Sequence, residues 1–280
     1  MGKRAINLLA LFTFVLISGC TLEQRLAKTY VKAGMHDDFY LLKPTFVFKE
    51  NLKEFELEGI DTLDENVKDS LLLQKSLFLK KVIDSVMISA YTDGLEKGLK
   101  GLGARVLPEN AVDTLMHNGG TSYILNLAQF SLEEYIHPYR AEEPAYDEVI
   151  VIDGIDLNAI NFNIWLELGR LNTEENNKVL FVSDYLLDQI EGTLKQNLIT
   201  GKLSFDFTID TLTVSQMYEF AGNFGEKTAG YLYDYLMNAW IGENIPEDYP
   251  YERIYYHYDP VRRFLIAVDE DSRIMEIEEQ

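Results

Sequence analysis

The sequence predicts an α+β fold in which two long amphipathic helices pack on a mixed or antiparallel sheet. Two segments, 67–90 and 217–240, repeat their apolar residues at the spacing of a helix that buries one face. Other segments alternate apolar with polar residues as half-buried strands do, most clearly 160–168. Helices and strands mixed in this way favour a sheet with helices packed on it.

The first half of the chain predicts the order strand, long helix, strand, short helix, strand. Residues 39–48 have strand composition, and Pro44 indicates a sheet edge or a bulge because proline has no N–H to donate. The long helix begins at a capping box, Thr62-Leu63-Asp64-Glu65, and ends in a glycine-rich stretch. The elements that follow are a strand at 104–107, a short helix at 108–116 and a buried strand at 121–132.

The glycines after the long helix do not predict a nucleotide site. They are Gly94, Gly98, Gly101 and Gly103. A phosphate-binding loop follows a strand and opens a helix, where free backbone N–H groups point at the phosphate. Here the order is reversed, and the spacing matches neither GxGxxG nor a P-loop. The glycines are therefore predicted to form a helix end and a turn.

An acidic stretch, 133–156, separates the two halves of the chain. It holds eight acidic residues and one base, Arg140, together with Pro138 and Pro144. This composition predicts a long loop excursion between the halves of a sheet. His137 lies within it and is predicted to be solvated.

The second half predicts an antiparallel meander followed by a helix. The strands of the meander lie at 160–168, 179–187 and 203–209. Polar residues at 211–215 cap a helix of about 25 residues. Beyond Pro246, residues 249–258 lead to a strand at 264–268, and 273–277 return as a terminal hairpin.

The first twenty residues predict export. Lys3 and Arg4 precede an apolar run at 5–17, and the run ends in Ile17-Ser18-Gly19-Cys20. Basic residues, a short apolar core and small residues before the cut define a secretory signal peptide, predicted here as 1–19. A run of this length reaches only about 20 Å as a helix, whereas a bilayer core needs about 30 Å, so a transmembrane anchor is the weaker interpretation.

Ile17-Ser18-Gly19-Cys20 resembles the lipobox of bacterial lipoproteins. The resemblance implies that Cys20 is diacylated and becomes the first residue after cleavage. Thr21 stands where an Asp would retain such a protein in the inner membrane, which implies the outer membrane. Cys20 is also the only cysteine, so acylation accounts for a thiol that no intrachain disulfide can use.

This assignment divides the chain into three parts. Residues 20–37 are the lipidated cysteine with a tether or short helix, and 38–280 form a single domain in two halves that break near 133–158. We expect the domain to face the periplasm, with exposure at the cell surface left open.

Net charge limits the partners of the mature chain. Loss of Lys3 and Arg4 leaves 23 basic against 46 acidic residues, a net charge of −23. A field of that sign repels nucleic acid and anionic lipid headgroups. We therefore expect no nucleic-acid partner, and attachment to the membrane through the lipid on Cys20.

No catalytic or metal site is predicted, and no cofactor is expected. The histidines form none of the spacings of zinc sites. They are His36, His117, His137 and His257. No GxSxG motif supplies a nucleophilic serine. Asp206 and Asp210 share a strand face about 13 Å apart, too far for a glycosidase pair, which needs about 10 Å or less. They are predicted to be solvated.

A tyrosine cluster is the predicted contact surface. Five of the chain's seventeen tyrosines fall within 249–258, beside Arg253 and His257. Tyrosine offers flat apolar area with a polar tip, which suits interfaces and stacking on sugar rings. The predicted binding residues are Tyr251, Tyr255, Tyr256 and Tyr258. The alternative is that these rings pack in the core of a strand, where tyrosine is favoured.

The order of elements is similar to that of periplasmic auxiliary lipoproteins of envelope transport and assembly machines, at 95–106 and 123–130. The resemblance implies a long helix that ends at a Leu-x-x-x-Gly turn, then a strand and a meander before another helix. The predicted function is a binding or assembly subunit of an envelope complex, whose partner is an envelope protein or a polysaccharide. The alternative is an enzyme, a hydrolase of an envelope polymer, with unidentified catalytic residues.

Overall fold

A computed structural model describes most of the chain, and within that part it is an α+β structure, as predicted. The described residues are 21–53, 64–107, 121–145, 148–171, 177–196, 198–201, 203–246, 249, 254–269 and 272–277. The helices are α1 (Leu22–Ala33), α2 (Glu65–Lys75), α3 (Asp84–Gly101) and α4 (Val214–Asn244). The strands of the main sheet are β1 (Asp38–Leu42), β2 (Phe48–Asn51), β3 (Arg105–Leu107), β4 (Ser122–Ala145), β5 (Glu148–Arg170), β6 (Lys178–Leu187) and β11 (Met275–Ile277). The others are β7 (Gln189–Gln196), β8 (Leu203–Asp210), β9 (Tyr255–Asp259) and β10 (Phe264–Val268). No described helix is long and apolar enough to cross a membrane.

The main sheet is mixed, with the order β11-β6-β5-β4-β1-β3 and β2 also beside β4. β1 is parallel to β3 and β4, and β2 is parallel to β4, whereas β4, β5, β6 and β11 pair antiparallel. β1 and β2 follow one another along the same edge of β4. The strand predicted at 39–48 is therefore split, with Pro44 in the interruption, because proline cannot donate to the ladder.

Helices α3 and α4 cover one face of the sheet and share its core. Tyr91 of α3 contacts Phe130 of β4 at 5.4 Å between ring centroids, and Phe220 of α4 contacts Phe162 of β5 at 4.8 Å. The predicted capping of α4 is confirmed, since Thr213 forms a capping box with Gln216.

Glycines bring α3 and α4 unusually close together. A Cβ on Gly94 would lie 1.9 Å from the carbonyl oxygen of Gly222, and one on Gly225 would lie 2.0 Å from that of Tyr91. The prediction that Gly94 and Gly98 end the helix is wrong, because both lie inside α3. Glycine is needed at both positions because α4 lies too close for a side chain. The predicted helix end is confirmed further on, where Gly103 has φ +100°.

The prediction of one helix over 67–90 is also wrong, because the chain breaks there into α2 and α3. A 3₁₀ turn, Leu79–Lys81, lies between them. The backbone N–H groups of Leu77, Phe78 and Leu79 turn away from helical pairing and donate to the buried carboxylate of Glu134, at 2.8, 3.0 and 3.2 Å. The proposed capping residues Thr62 and Leu63 lie outside the described residues.

The loop predicted at 133–156 is instead the far half of a long β-ribbon. β4 and β5 pair from Tyr123 and Arg170 out to Ala145 and Glu148. The buried side of the ribbon changes along its length. Near the helices the even-numbered residues of β5 are buried, from 160 to 168, whereas farther out the odd-numbered residues 155, 157 and 159 are buried.

A second hairpin explains this change. β7 and β8 form a separate two-stranded sheet, whose Phe205 lies 6.5 Å from Tyr139 of β4 between ring centroids. The predicted three-strand meander is therefore wrong in its last strand, since β8 pairs with β7, which was not predicted. The terminal hairpin at 273–277 is also wrong, because β11 pairs with β6 while β10 pairs with β9.

The first described residues form a helix that packs on α4. Thr21 caps α1, accepting a hydrogen bond from the backbone N–H of Gln24. Tyr30 of α1 contacts Tyr233 and Trp240 of α4, with centroids 5.5 and 5.6 Å apart. The signal peptide, the lipobox with Cys20 and the short helix at 108–116 lie outside the described residues. The division of the chain into domains stays a prediction.

Candidate binding site on the outer sheet face

The main sheet has a second face, which points away from α3 and α4. In β5 the buried side chains under the helices are even-numbered, so Asn161, Asn163, Trp165 and Glu167 project the other way. We call this side, formed by the outward residues of β2, β4, β5, β6 and β11, the outer face. Its residues combine aromatic rings with amides, hydroxyls and carboxylates.

An aromatic pair lies near the middle of the outer face. Trp165 of β5 is directly opposite Phe181 of β6, and their ring centroids are 4.8 Å apart. Both rings are half-buried, and Met275 of β11 continues the same row with 51% of its surface exposed. The two ring planes are tilted by 49°, so the pair offers an angled apolar surface in which each ring presents its own face.

Polar side chains surround this aromatic pair in ordered cross-strand contacts. The hydroxyl of Ser183 donates to Oδ1 of Asn163 at 2.7 Å. The amide of Asn161 donates to Glu133 at 3.3 Å. Asn163 is only 7% exposed, whereas Asn161 is half-buried and Ser183 is exposed. Asn161 and Ser183 therefore have donor and acceptor capacity within reach of hydroxyl groups of a ligand.

A shallow cleft of about 210 Å³ lies at one end of the outer face. It is lined by Leu42, Ile124, Asn126, Glu167, Gly169, Arg170, Leu171 and Asn177. The amide of Asn126 donates to Glu167 at 2.9 Å across its floor. A Cβ at Gly169 would lie 2.5 Å from the side-chain oxygen of Asn177, so glycine admits that amide to the wall of the cleft.

The other end of the outer face carries tyrosines beside a carboxylate. Burial raises the pKa of Tyr135, and the neighbouring Tyr185 and Glu133 raise it further. Tyr185 is 54% exposed. The phenol of Tyr135 therefore stays protonated and can donate a hydrogen bond at neutral pH.

Behind the outer face, a buried polar cluster joins the ribbon to the helices. Lys53 donates to Glu134 at 2.7 Å and to Asn158 at 2.8 Å. Asp188 accepts from the backbone and the amide of Asn158, and also from the backbone of Leu212. Burial alone would raise the pKa of Glu134, but the Lys53 ammonium and the backbone N–H groups outweigh it, so that the pKa is lowered. The cluster contacts its own chain and serves the fold.

The predicted tyrosine site lies elsewhere, against α4. Tyr256 is 3% exposed and exchanges backbone hydrogen bonds with the side chain of Asn238, so its prediction as a contact residue is wrong: the ring belongs to the core. Tyr258 packs on Tyr233 at 5.6 Å, and Tyr255 is half-buried. Tyr251 lies outside the described residues. A binding role for the remaining tyrosines stays a prediction.

The other predicted polar residues are not drawn together. Asp206 and Asp210 are both exposed, as predicted, and an ion pair with Lys195 lowers the pKa of Asp206. His137 is half-buried on the ribbon, so its placement in a solvated loop is wrong. His117 lies outside the described residues. Among the residues that the structure describes, no group of three or more His, Cys, Asp or Glu could hold a metal ion.

The outer-face residues were not singled out from the sequence, although a signal was present. The polar side of the strand at 160–168 holds Trp165 and two asparagines, where a solvated strand would normally carry charged residues and threonine. The position of Phe181 beside Trp165 depends on strand register, which the alternation pattern does not give.

Comparisons with known proteins identify no family. No family model matches the chain, and no curated protein matches it. Among solved structures, the chain is similar to a proposed neuraminyllactose-binding hemagglutinin homologue from Helicobacter pylori. That similarity has a TM-score of 0.27 at 11% identity and covers 74% of this chain and 88% of the other.

Proposed function

We propose that the protein is a lipid-anchored outer-membrane lipoprotein that faces the periplasm and serves as a binding subunit of the cell envelope. Its ligand is a neutral polysaccharide that lies across the outer face. The observation that carries this proposal is the Trp165–Phe181 pair, with ordered amide and hydroxyl side chains beside it.

This combination of side chains matches the chemistry of a sugar. A pyranose ring presents C–H groups on its flat faces and hydroxyl groups around its edge. One ring of the half-buried aromatic pair supplies an apolar surface for the C–H groups. Asn161 and Ser183 supply donors and acceptors for the hydroxyl groups. A chain of sugars would extend from the aromatic pair towards the cleft at Asn126.

The negative charge of the outer face favours a neutral glycan over an anionic one. The chain carries a net charge of −21, and Glu133 and Glu167 lie on the outer face itself. An anionic polymer would meet like charges at both positions, whereas a neutral polymer can donate its hydroxyl groups to the carboxylates.

The lipid anchor is supported by the residues around Cys20. Thr21 already caps α1, and α1 packs on α4. Acyl chains on Cys20 would therefore join the folded body directly, with no long linker. Two or more acyl chains on one residue give stable attachment, whereas one is marginal. Cys20→Ser should abolish the incorporation of labelled palmitate; continued incorporation would contradict the anchor.

The binding proposal can be tested by tryptophan fluorescence, because the chain has two tryptophans and only Trp165 lies on the outer face. In the full-length Trp240→Phe variant, Trp165 is the only reporter. Neutral oligosaccharides should shift its emission and saturate with concentration. Asn161→Ala in the same background should weaken binding about tenfold, as the loss of one to two hydrogen bonds implies.

The matched control is Asn238→Ala, an amide on α4 that bonds to Tyr256 within the body. It should leave the apparent Kd unchanged. Binding that isothermal titration calorimetry still detects in both Asn161→Ala and Trp165→Ala would contradict the outer face as the site. An absence of response to every neutral oligosaccharide would contradict the ligand class.

The enzyme alternative depends on carboxylate spacing on the outer face, where Glu50 of β2 is the register partner of Glu133 of β4. Glu133 is opposite Asn161, which lies six residues from Glu167 along β5. At about 3.3 Å per residue this separates the two carboxylates by about 20 Å, whereas glycosidase pairs need about 10 Å or less. Glu133 and Glu167 cannot act on one glycosidic bond. Glu50 and Glu133 are close enough to do so, and hydrolysis of a neutral oligosaccharide that Glu50→Gln abolishes would favour the enzyme alternative over binding alone.

A further inference from the structure

The tip of the β7–β8 hairpin exposes two aliphatic side chains almost completely. Leu198 is 95% and Ile199 is 96% exposed, and they are adjacent in the turn between the strands. Single exposed apolar residues are ordinary, but two neighbouring ones at the end of a projecting hairpin form a compact apolar point. We call Leu198 and Ile199 the apolar tip.

The hairpin that carries this tip is braced. The ring of Phe205 lies over Gly192, so closely that a Cβ there would be 2.2 Å from the ring. Phe205 also stacks on Phe207 at 5.8 Å and contacts Tyr139 of the β4–β5 ribbon. A pair of strands fixed in this way holds its tip out from the body, and the exposure of Leu198 and Ile199 is built into the fold.

The charge around the tip differs from that of the chain as a whole. The sequence 195–202 contains two lysines and no acidic residue, in a chain of net charge −21. Lys195 pairs with Asp206 at an exposed site. Asp206 therefore largely balances the charge of Lys195, and Lys202 is the remaining charge that the sequence places beside the tip. Since salt screens charges beyond about 8 Å at physiological ionic strength, the distant acidic residues contribute little to the field there.

We propose that the apolar tip inserts into the headgroup region of a lipid bilayer and is the point at which the folded body contacts lipid. Aliphatic side chains with flanking lysines match the two layers of such a surface, the acyl boundary and the phosphates. The partner is a lipid surface, and not a groove on a protein, because the tip is a convex point with a basic flank. This contact is separate from glycan binding on the outer face and does not depend on it.

Tryptophan substitution at the tip tests this contact in the full-length protein, reconstituted into vesicles of phosphatidylcholine with phosphatidylglycerol. Ile199→Trp should show a blue-shifted emission that brominated lipid quenches, over the signal of the two native tryptophans. Adding Lys195→Gln should reduce the quenching, and more so in vesicles with phosphatidylglycerol than in phosphatidylcholine alone.

The matched control is Val261→Trp, since Val261 is 89% exposed in the β9–β10 turn. It should be quenched clearly less than Ile199→Trp. Equal quenching at both positions would overturn the proposal, because the body would then adsorb without using the tip. A photo-crosslinker at Ile199 that captures one envelope protein, with no quenching by brominated lipid, would assign the tip to a protein partner and also overturn it.

Discussion

Glu133 and Glu134 are neighbours in the sequence but lie on opposite faces of one sheet. Glu133 accepts a hydrogen bond from Asn161 on the outer face. Glu134 is fully buried on the helix side, where Lys53 and three backbone N–H groups surround it. A glutamate is thus a half-buried acceptor on the outer face at one position and a buried structural centre at the next.

The helix side and the outer face of the main sheet have separate roles. The helix side holds the core and fixes where α2 ends and α3 begins. The outer face contributes cross-strand pairs but is not covered by α3 or α4. Substitutions on the helix side should therefore change stability, and those on the outer face should change binding.

The largest effect is expected from removing the Glu134 carboxylate. Glu134→Ala leaves the Lys53 ammonium buried without its partner, and three N–H groups lose their acceptor, so the free energy of unfolding should fall by about 3–5 kcal/mol. Urea unfolding followed by circular dichroism measures it. Glu133→Ala is the control and should change stability by about 0.5 kcal/mol or less. Equal losses in the two variants would remove the distinction between the faces.

Next in size is the destabilisation of the close helix crossing. Gly94→Ala should cost about 1–3 kcal/mol or more, because its methyl group would meet the backbone of Gly222. Gly230→Ala on α4 is the control, since nothing lies within 4 Å of its Cβ position, and it should stabilise by about 0.5–1 kcal/mol. If Gly94→Ala is instead neutral, the helices are not held at this distance in solution.

The free energy of unfolding at acid pH provides a further test of the role of Glu134. Its pKa is lower in the folded state than its ordinary value of 4.5, so the folded state binds the proton less tightly. The stabilisation is fully present above the unfolded pKa and is lost as the pH falls through the folded pKa. Glu134→Gln should flatten this loss in urea titrations between about pH 6 and pH 2. If the loss of stability with falling pH is unchanged, other carboxylates account for the pH dependence of the free energy of unfolding.

The smallest change in stability is expected on the outer face. Tyr185→Ser should alter the free energy of unfolding by about 0.5 kcal/mol or less, because the ring is more than half exposed. If the glycan crosses the row that contains Glu133, the same variant should bind it more weakly. Tyr185→Phe keeps the ring and tests the hydroxyl alone. A large loss of stability in Tyr185→Ser would place this ring in the core.

The fold class could be predicted because local patterns carry it. Alternation over 160–168 and helical spacing over 217–240 are properties of neighbouring residues. The break between α2 and α3 could not, because its cause, Glu134, lies more than fifty residues away. The ribbon at 133–156 resembled a loop because its acidic residues and prolines are typical of loops, and the hairpin that covers it was not recognised.

The candidate site was harder to predict than the fold. The density of tyrosines at 249–258 directed attention to a segment whose Tyr256 is a core residue. Density reports how many rings are present, but not what they face. The Trp165–Phe181 pair joins two strands, and only their register places the rings together.

The pairing of early with late segments has a consequence for how the protein is made. Tyr30 of α1 packs against Trp240 of α4, and β1 lies between β3 and β4. β6 pairs with β11, which lies near the end of the chain. A chain emerging from the ribosome with its N-terminus first cannot complete its core until the last of these segments is synthesised, and such distant pairings fold slowly. The complete core can therefore form only after residues 275–277 have been synthesised. Loss of only the final strand would leave β6 as an open edge, prone to intermolecular pairing.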